Sequence, residues 1–146
     1  MKYTVSKNIA ASPEVIWSIL TNAGAYPTWN TPVTQVDGKI AANERIRLYT
    51  KLSPKRAFAL QVTTFSPSKL MTWTGGMPLG LFKGVRDYLL TPRLDGTTDF
   101  TMTETFSGLL LKLIAKSLPD LAPSFEETAM GLKNAAESLT TQKLKL

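Results

Sequence analysis

The sequence predicts an α+β fold, a curved antiparallel β-sheet wrapped around a long C-terminal α-helix, with two short helices after the first strand. Three observations carry this. Residues 45–108 read as successive strands with short links, which favours an antiparallel meander because parallel neighbours need long crossovers. Residues 121–142 change period: Leu121, Phe125, Thr128, Leu132, Ala135 and Leu139 recur every three or four positions, the spacing of one amphipathic helix. An open sheet of this length must bend, and a helix laid in its concavity buries both apolar faces. The 146 residues fit one domain with one core, spanning 1–146.

The elements follow in order. "YTVSKNIA" (3–10) alternates Tyr3, Val5, Lys7 and Ile9 against Thr4, Ser6 and Asn8, the period of a half-buried strand. "ASPEV" then starts a helix, with Ser12 as cap, Pro13 at the first helical position and Glu14 at the positive end of the dipole. Val15, Ile16, Ile19 and Leu20 form its stripe, Asn22 and Gly24 stop it, and "AYPTW" holds a second short helical piece. Val15, Ile16, Trp17, Tyr26 and Trp29 are expected to plug the end that sheet and long helix leave open. That sealing role suits Trp17; Tyr26 and Trp29 divide between sealing and touching a ligand.

Residues 45–52 send Arg45, Arg47, Tyr49 and Lys51 outward and Ile46, Leu48, Thr50 and Leu52 inward. Residues 56–65 put Phe58, Leu60 and Val62 on one face, and 69–75 set Met71 beside Trp73. Two long strands, 81–92 and 97–108, join through "RLDG". If 94–96 is a three-residue hairpin loop with Gly96 left-handed, facing residue numbers sum to 190. Leu90 then faces Phe100, Tyr88 faces Met102, and Arg86 faces Glu104, close enough for an ion pair. In the tail, Lys133, Glu137 and Gln142 fall off the stripe. Gly131 weakens the helix by about 1 kcal/mol relative to Ala, and lets another element approach closely.

The missing residue types exclude whole chemistries. Without cysteine there is no disulfide, thiol nucleophile or thiolate metal site, and without histidine no Ser-His-Asp triad or imidazole ligand. No metal and no cofactor is expected. The net charge of +6 is spread along the chain with no run longer than "KR" at 55–56, which reads as a solvated basic surface and not as a nucleic-acid site. No stretch reaches the roughly 18 consecutive apolar residues of a membrane helix; "GLLLKLIAKSL" (108–118) is interrupted by Lys112 and Lys116. "MKYTVSKN" does not read as a signal peptide, so a cytoplasmic location is expected.

"IAASPEVIWSILTNAGAYPTWN" (9–30) resembles the opening of the START-like (SRPBCC) helix-grip superfamily, in its polyketide cyclase/dehydrase and lipid-transport branch. "LMTWTG" (70–75), "GLFKGVRDYLLTP" (80–92) and "TETFSGLL" (103–110) extend the similarity over nearly the whole chain, in the right order. The resemblance implies a deep apolar cavity between sheet and C-terminal helix. Members range from lipid carriers and hormone receptors to aromatase/cyclases and co-chaperones, so the fold leaves function open. Members often carry a histidine in the strand matching "GVRDY", where this chain has Arg86. An arginine stays charged, so no general-base role carries over.

The leading expectation is a carrier or binding protein for a small hydrophobic ligand, lipid-like or polycyclic, held in a cavity of roughly 300–1,000 Å³. Its candidate ligand-binding residues are Arg86, Glu104, Trp73, Phe82, Tyr88, Met102, Phe106, Phe58, Tyr26, Trp29 and Phe125, with Leu60 and Phe100 as further wall. Each also reads as plain core packing, and the ion pair as a purely structural one. "GGMPLGLF" (75–82) and "SGLLLKLI" (107–114) would flank the mouth. The alternative is a cyclase or dehydratase using Glu104 as acid or base and Arg86 as electrostatic clamp; a co-chaperone-like interaction protein ranks third. No catalytic residue is assigned. The expected partner is the small molecule, with no nucleic acid, no transmembrane segment, and room for a weak homodimer.

Overall fold

Ser12 opens the first helix as its chemistry requires. Its hydroxyl accepts the Val15 N–H at 3.2 Å and Pro13 takes the first turn, where a missing donor costs nothing. The computed structural model describes residues 1–145. The chain runs β1 (Lys2–Ile9), α1 (Pro13–Leu20), a 3₁₀ turn (Ala23–Ala25), α2 (Tyr26–Trp29) and β2 (Val33–Asp37). It continues through β3 (Arg45–Thr50), β4 (Ser53–Ser66), β5 (Leu70–Met77), β6 (Phe82–Pro92) and β7 (Thr98–Ser107), and ends in α3 (Leu111–Ala115) and α4 (Ala122–Leu144).

The seven strands form one antiparallel sheet in the order β1-β7-β6-β5-β4-β3-β2. The first strand thus closes against the last, and α1 and α2 connect the two edge strands. The sheet curls around α4, whose Phe125, Thr128, Ala129, Leu132 and Ala136 are buried. Val5, Ile9, Met71, Trp73, Tyr88, Phe100 and Met102 meet them from the strands, and Ile16, Leu20, Tyr26 and Trp29 from the short helices. Trp17 packs on Phe65 with ring centroids 5.1 Å apart, sealing one end of the grip.

Gly131 has a direct reason. A Cβ there would overlap the backbone carbonyl of Trp29, so only glycine lets α2 rest on α4. Beside it the Thr128 hydroxyl donates to Asn30 Oδ1 at 3.0 Å in a buried site. Lys133 and Glu137, off the apolar stripe as expected, tie α4 to β1. Lys133 Nζ donates to the Asn8 carbonyl, and Glu137 accepts the Ala10 N–H while pairing with Lys133 at 2.9 Å.

Four details differ from the sequence reading. Strand β2 lay unread between two turns, because five residues give alternation little length to show. Strand β3 ends at Thr50, so Leu52 sits in the following turn, exposed and not inward. Residues 111–115 form the short helix α3, which five positions cannot announce by periodicity. The long helix runs 122–144, displaced slightly from 121–142, and Leu139 on its stripe is only partly covered.

Candidate functional site

The β6–β7 hairpin sets the site's geometry. Arg93 and Gly96 close the turn, with Gly96 at φ +86°, and the register pairs Leu90 with Phe100, Tyr88 with Met102 and Arg86 with Glu104. Because paired residues share a face, one row across the concave surface reads Tyr3, Glu104, Arg86, Trp73, Val62. Arg86 Nε donates to Glu104 Oε2 at 2.7 Å. The two side chains are 19% and 12% exposed, the only charged pair in this apolar row.

The guanidinium is enclosed from above by the helix: its carbon lies 5.0 Å from the centroid of the Phe125 ring. Burial pulls the Arg86 pKa down, but the Glu104 carboxylate and Tyr88 more than restore it, leaving it above its ordinary value. Arg86 therefore carries a fixed positive charge at any ordinary pH.

Two neighbouring donors lack partners. Trp73 Nε1 is buried without a hydrogen-bond partner, and the Tyr88 hydroxyl, buried beside the Arg86 guanidinium that can donate to its oxygen, has no acceptor for its own proton. Burial raises the Tyr88 pKa, and Arg86 opposes that rise only in part. Trp73 and Tyr88 touch edge to face at 5.0 Å, so all four polar groups belong to one neighbourhood.

The expected walls fall into two zones. Tyr26, Trp73, Tyr88, Phe100 and Met102 are at most 1% exposed and in mutual contact, so no water-sized void adjoins them. Here the expectation of a deep preformed cavity is corrected: rings fill the inner half of the grip. Tyr26 donates its hydroxyl to the Leu20 carbonyl at 2.6 Å and packs on Trp29, as a seal would. Trp29 Nε1 is a third buried donor without a partner.

Toward the other end the concave surface is less fully covered, with Leu60 and Phe82 half-buried and Phe58 exposed. Phe82 stacks on Phe106 at 5.7 Å, and Gly75 faces Gly84 across β5 and β6. Those glycines leave space above the sheet that Leu60 and Phe106 occupy; a Cβ on Gly84 would lie 3.4 Å from both Glu104 Oε1 and the Phe106 ring. Phe58 shares the Leu60 and Val62 face as expected, but it is 48% exposed. It lies beyond the helix's cover and does not wall an enclosed pocket. Two open grooves of about 500 Å³ lie elsewhere, on the outer side of α4 and beside α2, and neither enters the grip.

Sequence reasoning missed Tyr3, whose ring lies 5.6 Å from Phe125 and 6.3 Å from Phe106. Its place on the Val5 and Ile9 face of β1 was the available signal. The orphaned donors had none, since only packing decides which partners are absent. Among the described residues no cluster of acidic side chains has the form of a metal site.

No curated protein sequence matches significantly. Solved structures match the fold over nearly the full chain. MLL2253 from Mesorhizobium loti is 17% identical with a TM-score of 0.73, over 94% of this chain and 98% of its own. A START superfamily protein from Mycobacterium smegmatis is 18% identical with a TM-score of 0.68, at the same coverage. The di-domain ARO/CYC BexL from the BE-7585A biosynthetic pathway is 12% identical with a TM-score of 0.72, and this chain covers 47% of it. At such identities the likeness concerns the fold, the helix-grip fold seen here. The model of the family described as polyketide cyclase/dehydrase and lipid transport matches residues 1–137, and this chain belongs to that family.

Proposed function

We propose that the protein binds a small, largely apolar molecule whose hydrogen-bond-accepting end reaches Arg86, Tyr88 and Trp73 once the rings packed over them shift, with its apolar body against Leu60, Phe82 and Phe106. The observation that carries this reading is the pair of unpartnered donors, Tyr88 Oη and Trp73 Nε1, buried beside a charged arginine. A buried donor without a partner costs about 1–3 kcal/mol, and a ligand carbonyl, carboxylate or phosphate would relieve it. Access runs from the Phe82–Phe106 end, because the opposite half is filled by rings. Catalysis has less support. Arg86 cannot act as a base, and the Glu104 carboxylate already accepts from it.

Native mass spectrometry of the purified protein, followed by titration with acyl and polycyclic compounds bearing one acceptor group, tests the proposal. Binding should weaken at least tenfold in Arg86→Met with Glu104→Gln. Unchanged affinity in that double variant, or no binding of any such compound by the wild type, overturns it.

A further inference from the structure

The open end of the grip differs from the rest of the surface in its charge. It is formed by the N-terminus, the β3–β4 turn with the start of β4, the β5–β6 turn, and the segment 108–121, which includes α3. Register and hydrogen bonds hold these together. The Phe106 N–H donates to the Met1 carbonyl, the Leu109 N–H to Gly80, and the Leu110 N–H to Leu81. Residues 1–2, 51–58, 76–84 and 108–121 carry seven basic side chains against Asp120 alone. The remainder of the chain holds ten of each sign, so this end carries the whole net charge of +6.

The same segments expose aliphatic side chains. Leu79 is 91% exposed, Leu109 82% and Leu113 71%. Leu79 sits at φ +61°, a left-handed conformation that a bulky residue adopts only under strain, at the tip of the β5–β6 turn. In the 109–118 segment Leu110, Leu111, Ile114 and Leu118 turn inward, while Leu109, Lys112, Leu113 and Lys116 turn outward. The outward face therefore alternates leucine and lysine. Leu79, Leu109 and Leu113 are exposed and stand apart from the buried ion pair.

We infer that this end docks on an anionic lipid surface, with Leu79, Leu109 and Leu113 entering between headgroups and Lys83, Lys112 and Lys116 meeting their charges. The composition selects lipid over protein. Protein interfaces enrich aromatics and arginine and deplete lysine, whereas leucines ringed by lysines are the makeup of interfacial membrane segments. Lysine stems lie along an apolar surface while their ammonium groups reach the headgroups. The three leucines stand on two separate segments, as prongs and not as a flat face for a second protein. The inference is independent of the ligand proposal, because it concerns side chains on the outside of the grip.

Co-sedimentation with phosphatidylcholine vesicles, with and without about one-third phosphatidylserine, tests it. The wild type should bind the anionic vesicles at least tenfold better, and binding should collapse between about 0.05 and 0.5 M salt as charge is screened. Leu79→Ser with Leu109→Ser and Leu113→Ser, and separately Lys83→Gln with Lys112→Gln and Lys116→Gln, should each lower binding at least tenfold. Thermal melts should stay unchanged, since the replaced leucines make little contact. Equal binding to neutral vesicles, or none to anionic ones, overturns the inference. So does full binding by the leucine variant, which would mean charge attraction alone. Capture by an acidic protein with no vesicle binding would assign the surface to a protein partner and also overturn it.

Discussion

Arg86 and Glu104 are a charge pair in a wall of rings, and at the scale of single residues their energetics separate structure from recognition. Arg86→Met leaves the Glu104 carboxylate without its partner. Breaking a buried pair in this way costs about 3–5 kcal/mol, and the 12–19% exposure here places the loss at the lower end. Adding Glu104→Gln removes the stranded charge, so most of the stability should return, read as a recovered urea midpoint. A double variant no more stable than the single one would mean that the arginine acts through its packing on Phe125 and not through its charge. The pairing was legible in the sequence because hairpin register is arithmetic once Gly96 is placed. Phe58 was not: alternation gives its face, but nothing local records where the covering helix begins.

At the scale of elements, the contact between α2 and α4 opposes two effects at one position. Gly131→Ala gains about 1 kcal/mol of helix propensity. The same methyl would overlap the Trp29 carbonyl, a backbone atom held in place by α2 and by the Thr128–Asn30 bond. Forcing an extra group into a packed contact costs typically about 1–3 kcal/mol, so the net effect should be destabilising. Asn134→Ala, exposed on the same helix, isolates the propensity gain and should stabilise by a few tenths of a kcal/mol, roughly the host–guest difference. Thermal melts of the two variants should move in opposite directions; a stabilised Gly131→Ala would mean that the two helices separate freely. Leu132, fully buried on the same helix, sets the larger scale: Leu132→Asp should abolish cooperative folding, seen as loss of the melt. The 3.6-residue period announced Phe125, Thr128 and Leu132 correctly because α4 is long, though Ala129 and Ala136 are buried where Ala135 was expected; the brevity of β2 and α3 hid them.

For the whole molecule, the order of elements was legible because each strand and the long helix carry their period in their own residues. The occupancy of the grip was not, because a cavity is the volume left after all side chains have packed. The filled interior includes two tyrosines that titrate with folding. Burial raises the Tyr26 pKa well above its ordinary value and raises that of Tyr88 as well. In the unfolded chain both ionise near pH 10, roughly the value of free tyrosine. Above that pH the unfolded state has lost protons that the native state still holds, so stability should be full below pH 10 and fall as pH rises. Tyr26→Phe and Tyr88→Phe should each flatten that fall, but they should differ at neutral pH. Tyr26→Phe gives up the bond to Leu20 and should cost about 1 kcal/mol. Tyr88→Phe removes a buried hydroxyl whose proton has no acceptor, while Arg86 keeps its bond to Glu104, so it should be neutral or stabilising at pH 7. If that hydroxyl is kept to meet a ligand's acceptor, the stabilised variant should bind the ligand more weakly, a trade of stability for recognition. Urea midpoints at pH 7 and above pH 10, set beside ligand titrations, check both parts. A Tyr88→Phe variant that loses more than about 1 kcal/mol at pH 7 would show that the hydroxyl is satisfied in the native state. The orphaned donor, and the binding proposal built on it, would then fall together.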